Sequence, residues 1–437
     1  MKRVLAADAG QYIGKEILLQ GWVHRIRQLG QVSFLLLRDR SGVVQTVVET
    51  GGWDIPDDIT NEAVIAIRGE VGEDKRAPGG IEVRVKEREA LSVISPSLEV
   101  SPIEINKKID LLKTNLETVL AFRPLSLRNP DIRAIFKVQA EIIWAFREFL
   151  LKEGFTEIQT PKIVATGTEG GSQLFPVQYF ERQAYLAQSP QFYKQIMVGS
   201  GFERVFEVGH AYRAEEHNTA RHLNEYVSLD LEMGFIESEQ DVMRMETGLL
   251  KFVFEHLRST CEAELRLYKA EIPSFKEIPQ ITLAEAKEIL KSQYKKDLGG
   301  AKDLDPEGER LICRHISKET GEELVYITAY PTEKRPFYTM PCSDNPELTK
   351  SFDLLYKGEE ITTGGQRIHE YDRLLKNMKN FGLRADDFEF YLQTFKQGMP
   401  PHGGLAIGAE RITKQLLNLS NIREASLFPR DRTRISP

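Results

Sequence analysis

Between Ile17 and Ile94 the chain runs in short apolar-rich stretches, ILLQGWVHRIRQL, VSFLLLRDRSGVVQTVVE, AVIAIRGEVG and GIEVRVKEREALSVI, punctuated by Ser41-Gly42, Gly51-Gly52 and Pro78-Gly79-Gly80. Val, Ile and Leu at this density, in runs this short, predict strands and a small all-β barrel rather than helices. The following SPSLEVSPIEINKKID carries Pro96 and Pro102 and no sustained period, as a linker does. From Ile135 to Leu151 apolar residues fall at 135, 138, 142, 146, 149 and 150, a helical spacing that Gly154 ends. FTEIQTPKIV reads as a strand interrupted by Pro161, which suits an edge, and ATGTEGGSQLFPV as a glycine-rich loop able to act as a lid. A helix is expected after Pro190, with Gln191 and Lys194 three apart on one face.

The stretch FEVGHAYRAEEHNTARHLNEYVSLDLEM, Phe206 to Met233, alternates apolar and polar positions at both ends around a loop crowded with Arg213, Glu215, Glu216, His217, Arg221, His222 and Glu225. Without Asn-Gly or Asp-Gly at its centre, it predicts two strands joined by a long charged loop. Such a loop is either solvated surface laced with ion pairs or a place that meets an anion. Beyond it, Glu237 to Leu265 predicts one long amphipathic helix, and Thr282 with Glu285 marks the capped start of another. LVYITAYP reads as a strand, Asp353, Glu360 and Arg367 fall between β-like segments, and PPHGGLAIGAERITKQLLNL runs from a glycine-rich strand into a helix.

A length of 437 residues predicts two or three domains. The formal charge of −7 does not advertise a nucleic-acid partner, so any such site is a local basic surface on an acidic body. Cys261, Cys313 and Cys342 are too widely spaced for a disulfide framework or a zinc site, which favours a reduced, intracellular setting. No apolar run reaches membrane-spanning length, and the expected address is cytoplasmic. The predicted barrel could be of the oligonucleotide-binding type, whose outer strand face stacks bases on aromatics. Phe34 and Gln45, on strands joined at Ser41-Gly42, would share one face, with His24, Arg25 and Arg27 nearby. By pattern alone, a Phe in such a strand belongs to the barrel core.

YRAEEHNTARHLNEY and GGLAIGAER, with the helix and strand ending at Pro161, QSPQFYK and GGQRIH, all in matching order, resemble the motifs of class II aminoacyl-tRNA synthetases. Over nearly the whole chain the resemblance is to aspartyl-tRNA synthetases of the compact archaeal type. It implies an α+β multidomain fold: an N-terminal OB-fold β-barrel for the anticodon at 1–98, a linker or hinge at 99–130, and a class II catalytic domain at 131–437. That domain would be an antiparallel sheet flanked by helices, with a small helical insertion at about 265–322. It also implies ATP and Mg2+, L-aspartate, tRNA(Asp), and a homodimer built on motif 1.

By the same resemblance Arg213 grips the amino-acid carboxylate and the α-phosphate, its planar fork suiting two oxygens at once. Glu215 reads the adenine amino group and Tyr226 stacks on the ring, where the family more often has an aromatic without the hydroxyl. Arg221 and His222 hold the outer phosphates, Leu223 and Gly408 line the nucleotide site, and Arg411 completes the clamp. Ala406 stands where the family commonly has Gly. Glu360 and Thr363 resemble the magnesium ligands, with Asp353 as an outer or additional one. Lys194 and Arg367 supply positive charge for the substrate side chain, and Asp230 orients them; asparaginyl enzymes, which share the scaffold, typically differ at 194 and 230. Glu169 would close on the α-ammonium, while Ser189 and Gln191 line the pocket. On the barrel, Phe34, Gln45 and Arg25 match anticodon-contacting positions. His24 stands where enzymes strict for tRNA(Asp) carry Trp, and Pro78 where they carry Lys, which implies charging of both tRNA(Asp) and tRNA(Asn). The competing readings are an asparaginyl-tRNA synthetase and a synthetase-like RNA-binding paralogue that charges nothing.

Overall fold

The computed structural model describes residues 1–30, 32–49, 55–107, 115–167, 173–216 and 219–436. The chain divides into two compact units, Met1–Arg133 and Ala134–Pro437. In the first, six strands form one sheet: β1 (Glu16–Leu29), β2 (Val32–Arg38), β3 (Val43–Glu49), β4 (Val64–Glu73), β5 (Ile81–Val85) and β6 (Leu91–Ser95). The order β1-β2-β3-β5-β4 returns to β1 through an antiparallel β1–β4 pairing, so the sheet closes into a barrel. Alternation along each strand sends Ile17, Leu19, Val23, Leu35, Ile65, Ile67 and Val83 into one core. A Cβ at Gly21 would lie 2.3 Å from the Arg38 carbonyl oxygen, and one at Gly69 2.5 Å from that of Arg84. Only glycine lets the strands approach so closely there.

One irregularity in β1 has a functional consequence. Trp22 faces Arg38 and Val23 faces Leu37, but Arg25 faces Leu36, so His24 is an extra residue in the ladder. A bulge of this kind reverses which side chains point outward. Beyond it Ile26 packs on the core, while Arg25 and Arg27 are exposed opposite Leu36 and Phe34.

The second unit is built on an eight-stranded sheet. Its strands are β7 (Thr156–Glu157), β11 (Arg204–Tyr212), β12 (Glu225–Gly234), β13 (Gln280–Thr282), β14 (Leu324–Thr328), β15 (Ser351–Tyr356), β16 (Glu359–Arg367) and β17 (His402–Gly408). A separate three-stranded sheet holds β8 (Ile163–Val164), β9 (Pro176–Tyr179) and β10 (Arg182–Leu186). The large sheet runs β13-β14-β15-β16-β17-β12-β11-β7. It is antiparallel throughout its middle, but β7 pairs with β11 and β13 with β14 in parallel. The strand expected across Pro161 is therefore two short strands in different sheets.

The helix over Pro130–Lys152 and the capped helix over Leu283–Tyr294 form where the periodicity places them. The single helix expected over Glu237–Leu265 is two, Glu239–Thr260 and Glu262–Tyr268, broken at buried Cys261, whose φ of −122° leaves the helical region. The region expected as a helical insertion also contributes β13 to the sheet. Its helices Leu283–Tyr294 and Pro306–Thr320 share a core with Val325, Ile327 and Leu355. Helix Glu239–Thr260 covers one face of the sheet, where the Tyr326 hydroxyl lies 3.2 Å from the Met243 carbonyl and 3.1 Å from Glu246 Oε2. The other face carries the polar residues described next.

Candidate active site

Strand alternation puts Ser228, Asp230 and Glu232 of β12 on the open face, joined there by Ser351 and Asp353 of β15. Together with helix Gln191–Met197 and helix Ala409–Leu416 they wall a cavity of about 610 Å³. It gathers Ser189, Gln191, Lys194, Arg213, Glu215, Arg221, His222, Leu223, Tyr226, Asp230, Asp353, Glu360, Thr363, Arg367, Gly408 and Arg411, the predicted residues of this unit apart from Glu169. Glu169 lies outside the described residues, as do His217 and Asn218.

At the inner end four charges interlock. Lys194 is 2% exposed, and its Nζ lies 3.0 Å from Asp230 Oδ1, 3.1 Å from the Leu405 carbonyl, 3.3 Å from the Leu231 carbonyl and 3.4 Å from Glu232 Oε2. Arg367 Nε donates to Glu232 Oε1 at 3.0 Å and Nη2 to the Gly404 carbonyl at 3.0 Å. Asp230 thus pairs with Lys194 and is itself steadied by the Ser228 hydroxyl at 2.6 Å. The residue that holds Arg367 is Glu232, which the sequence reading passed over. Burial works to raise the Glu232 carboxyl, but the Arg367 and Lys194 charges outweigh it and hold the group below its usual range. Gln191 joins the same group, donating to Glu232 Oε2 and accepting from Arg367 Nη2, each at 3.4 Å. Beneath lies His402, wholly buried, 3.1 Å from Gln195, which also accepts from the Tyr391 hydroxyl at 2.7 Å. Burial drives the His402 pKa down to about 4, so the ring is neutral.

The middle of the cavity is shaped by a second bulge. Leu354 pairs with Thr362 but Leu355 with Glu360, leaving Ile361 extra, so Glu360 and Thr363 come to the same face. The Thr363 hydroxyl lies 2.8 Å from Glu360 Oε1 and 2.9 Å from Asp353 Oδ1. Burial opposes ionisation of Glu360, but Arg411, the Thr363 hydroxyl, Arg335 and Arg213 favour it and hold its pKa below the usual value. Arg411 Nη1 donates to the Glu360 carbonyl at 2.9 Å and lies 3.4 Å from its carboxylate. Asp353 already has a buried partner in Arg335 at 2.8 Å, a guanidinium stacked 3.8 Å over Tyr330. Burial and then Glu360 repulsion nonetheless push Asp353 upward. Two carboxylates sharing one hydroxyl are a hard-oxygen donor set, and Asp353, neutralised by Arg335, is the lesser donor of the two. No group of three or more His, Cys, Asp or Glu among the described residues could hold a metal ion by itself.

The outer end belongs to the charged loop. The Arg213 amide donates to the Asn224 carbonyl at 2.9 Å, and its guanidinium lies 5.8 Å from the Tyr226 ring. Glu215 accepts from Gln173 at 3.1 Å. His222 pairs with the Thr219 hydroxyl at 2.7 Å, and burial together with Arg411 lowers its pKa. Arg221 is bound by Glu309, again a residue the pattern did not single out. Glu410, wholly buried and pushed up to about 7 by burial, accepts the Val227 amide on both oxygens at 3.1 Å, fixing β12 to helix Ala409–Leu416.

On the barrel, Phe34 is half-buried rather than core, which overturns the reading from pattern alone. It shares the outer face of the β2–β3 pair with Leu36 and Gln45, and the bulge in β1 turns Arg25 and Arg27 toward that face. His24 instead meets Arg38 at 2.9 Å beside the buried Arg38–Glu62 pair, and burial followed by Arg38 lowers its pKa. Pro78 is exposed on the turn before β5.

Residues 115–432 match the model of the tRNA synthetases class II (D, K and N), and residues 17–91 that of the OB-fold nucleic acid binding domain. The Aspartate--tRNA(Asp/Asn) ligase of Thermus thermophilus is 51% identical over 100% of both chains. The Aspartate--tRNA(Asp) ligase of Pyrococcus abyssi is 45% identical over 97% of each. Among solved structures, the asparaginyl-tRNA synthetase of Pyrococcus horikoshii complexed with asparaginyl-adenylate superposes with a TM-score of 0.92 at 31% identity, covering 100% of both chains. With this cavity, this barrel and matches that span both, the chain belongs to the class II tRNA synthetases of the D, K and N group.

Proposed function

We propose that this chain activates L-aspartate with ATP and transfers it to tRNA, charging tRNA(Asp) and tRNA(Asn) alike. The observation that carries the reading is the buried quartet Lys194, Asp230, Glu232 and Arg367, in a chain 51% identical to a relative named for both tRNAs. In activation, an α-carboxylate oxygen of aspartate attacks the α-phosphorus of ATP. The bond from that phosphorus to the bridging oxygen breaks, and pyrophosphate leaves with the electron pair. No nucleophilic side chain is needed, so positioning and charge neutralisation carry the barrier reduction. Arg213 spans the carboxylate and α-phosphate, Arg411 stabilises the growing phosphate charge, Tyr226 and Glu215 hold adenine, and Arg221 and His222 take the outer phosphates. In transfer, a terminal ribose hydroxyl of tRNA attacks the acyl carbon and AMP departs.

Glu360 and Thr363 are suited to hold Mg2+, with Asp353 in support. When bound there, the ion neutralises phosphate charge. The side-chain carboxylate of aspartate reaches Lys194 by exchanging with one of its longer contacts at 3.3–3.4 Å. A neutral amide oxygen in that place would accept from Lys194 without the charge that strengthens the bond. On the barrel, Phe34, Gln45 and Arg25 would read the anticodon. His24 and Pro78 leave the reading relaxed. A second copy would cover helix Pro130–Lys152, which leaves Trp144 49% and Leu151 55% exposed. A cytoplasmic address belongs to the same proposal; no helix among the described residues is long and apolar enough to cross a membrane.

The likeness in shape to an asparaginyl enzyme favours a second reading, asparagine as the substrate. Amino-acid-dependent ATP–pyrophosphate exchange, run with aspartate and asparagine side by side, decides between them. Exchange with asparagine only, or with neither, overturns the proposal. Aspartylation of unmodified tRNA(Asn) below about a hundredth of that of tRNA(Asp) overturns the relaxed specificity alone.

A further inference from the structure

Arg221 closes the charged loop and lines the cavity, whereas Glu309, its ion-pair partner, does not. Glu309 is the fourth residue of helix Pro306–Thr320, whose N-cap Asp305 accepts the Gly308 amide at 2.7 Å. Ile312, Cys313 and Ile316 of that helix are buried in the core shared with β14 and β15. The turn between β15 and β16 packs directly on it: a Cβ at Gly358 would lie 2.8 Å from Arg310 Cγ and 3.0 Å from its Cα. Glu309 is thus held in place from two sides. The next residue after that turn, Glu359, is buried and bound to Lys414 and Gln415, and its Oε1 lies 3.7 Å from Arg221 Nε.

Glu309 therefore pairs with the guanidinium at Nη2, while Glu359, from a separate element, stands 3.7 Å from Nε, beyond hydrogen-bond reach, and adds negative charge on that side. The side chains of Arg221 and Glu309 are only 18% and 12% exposed, so this is not a screened surface pair. A planar guanidinium bound at one nitrogen by a partly buried carboxylate, with a second carboxylate facing another, has its orientation biased by the fold itself. We infer that Glu309 is a positioning residue for the outer phosphates of ATP, acting through Arg221. The inference rests on the reading above that Arg221 meets those phosphates, and it assigns the helices between β13 and β14 a part in nucleotide binding.

The test is a double-mutant cycle in the full-length enzyme with Glu309→Gln, Arg221→Ala and the double variant, read by exchange kinetics. Glu309→Gln is expected to raise KM for ATP, and for pyrophosphate in the reverse reaction, about tenfold to 150-fold, the loss of one hydrogen bond to a charged group. Inhibition by AMP, which lacks the outer phosphates, and KM for aspartate are expected to stay as in the wild type. In the Arg221→Ala background the same substitution is expected to add nothing. Glu309→Asp, which keeps the charge on a shorter stem, should recover part of the loss, and it carries the test if Glu309→Gln does not fold. An unchanged or lowered KM for ATP in Glu309→Gln, AMP binding weakened equally, or an equal effect without Arg221 overturns the inference. If Arg221→Ala leaves KM for ATP unchanged, the assignment of Arg221 itself fails. If Arg221→Ala raises it and Glu309→Gln does not, only the role of Glu309 fails.

Discussion

Replacing Lys194 by Met removes the ammonium but keeps an unbranched stem of similar length in a site that is 2% exposed. Within the pocket Lys194 and Arg367 balance Asp230 and Glu232. With aspartate bound, its side-chain carboxylate joins two buried carboxylates, and in the variant Arg367 would be the one cation of the quartet left to face all three. Removing one partner of a buried ion pair costs about 3–5 kcal/mol because the other charge stays buried. At about 1.4 kcal/mol per factor of ten, kcat/KM for aspartate should fall roughly 150-fold to several thousandfold. Aspartate-dependent ATP–pyrophosphate exchange measures this. KM for ATP should move little, since among the described residues Lys194 is bound by Asp230, Glu232 and the Leu231 and Leu405 carbonyls, not by the nucleotide-side residues. Exchange within about threefold of wild type, in a variant shown folded by its thermal transition, would refute the reasoning, because no buried charge can be lost so cheaply beside two carboxylates.

Gly404→Ala would place a Cβ 2.2 Å from Glu232 Oε2 and from the Leu231 carbonyl. Glu232 must move and Arg367 with it, so aspartate activation should drop about a hundredfold while AMP inhibition holds, as exchange kinetics will show. Neutral, buried His402 makes the second unit sensitive to acid. The unfolded chain takes up the proton near 6.5 and the folded one only near 4, so this contribution is complete above about 6.5 and lost as pH falls toward 4. It amounts to about 3 kcal/mol, of which about 2 is gone by pH 5. Glu246 and Glu410, pushed up to about 7 by burial, act in the opposite sense. The difference between wild type and His402→Gln in urea midpoint at pH 7 and pH 5 therefore isolates the imidazole. Phe34→Ala should raise KM for tRNA roughly fivefold to 150-fold, the loss of about 1–3 kcal/mol of base stacking, and leave exchange without tRNA unchanged.

Local pattern was enough for much of this protein. Alternation and glycine punctuation marked the barrel strands, and 3.6-residue spacing marked helices Pro130–Lys152 and Leu283–Tyr294. The order of YRAEEHNTARHLNEY, GGQRIH and GGLAIGAER pointed to the residues that the sheet then gathers in one cavity. Periodicity works where an element obeys its ideal period, and motifs work where the chemistry needs a particular side chain.

What the sequence could not decide is where the period breaks and which charge answers which. The bulge at His24 turns Arg25 and Arg27 toward Phe34, and the one at Ile361 brings Glu360 and Thr363 onto one face. Neither carries a sequence mark, because an extra residue is defined only by the strand it fails to pair with. Glu232, Glu309 and Arg335 read as ordinary charges along the chain. Their partners Arg367, Arg221 and Asp353 lie 135, 88 and 18 positions away. A counter-ion is chosen by distance in space and by burial, where the low dielectric makes each pairing count, and only the folded sheet sets both.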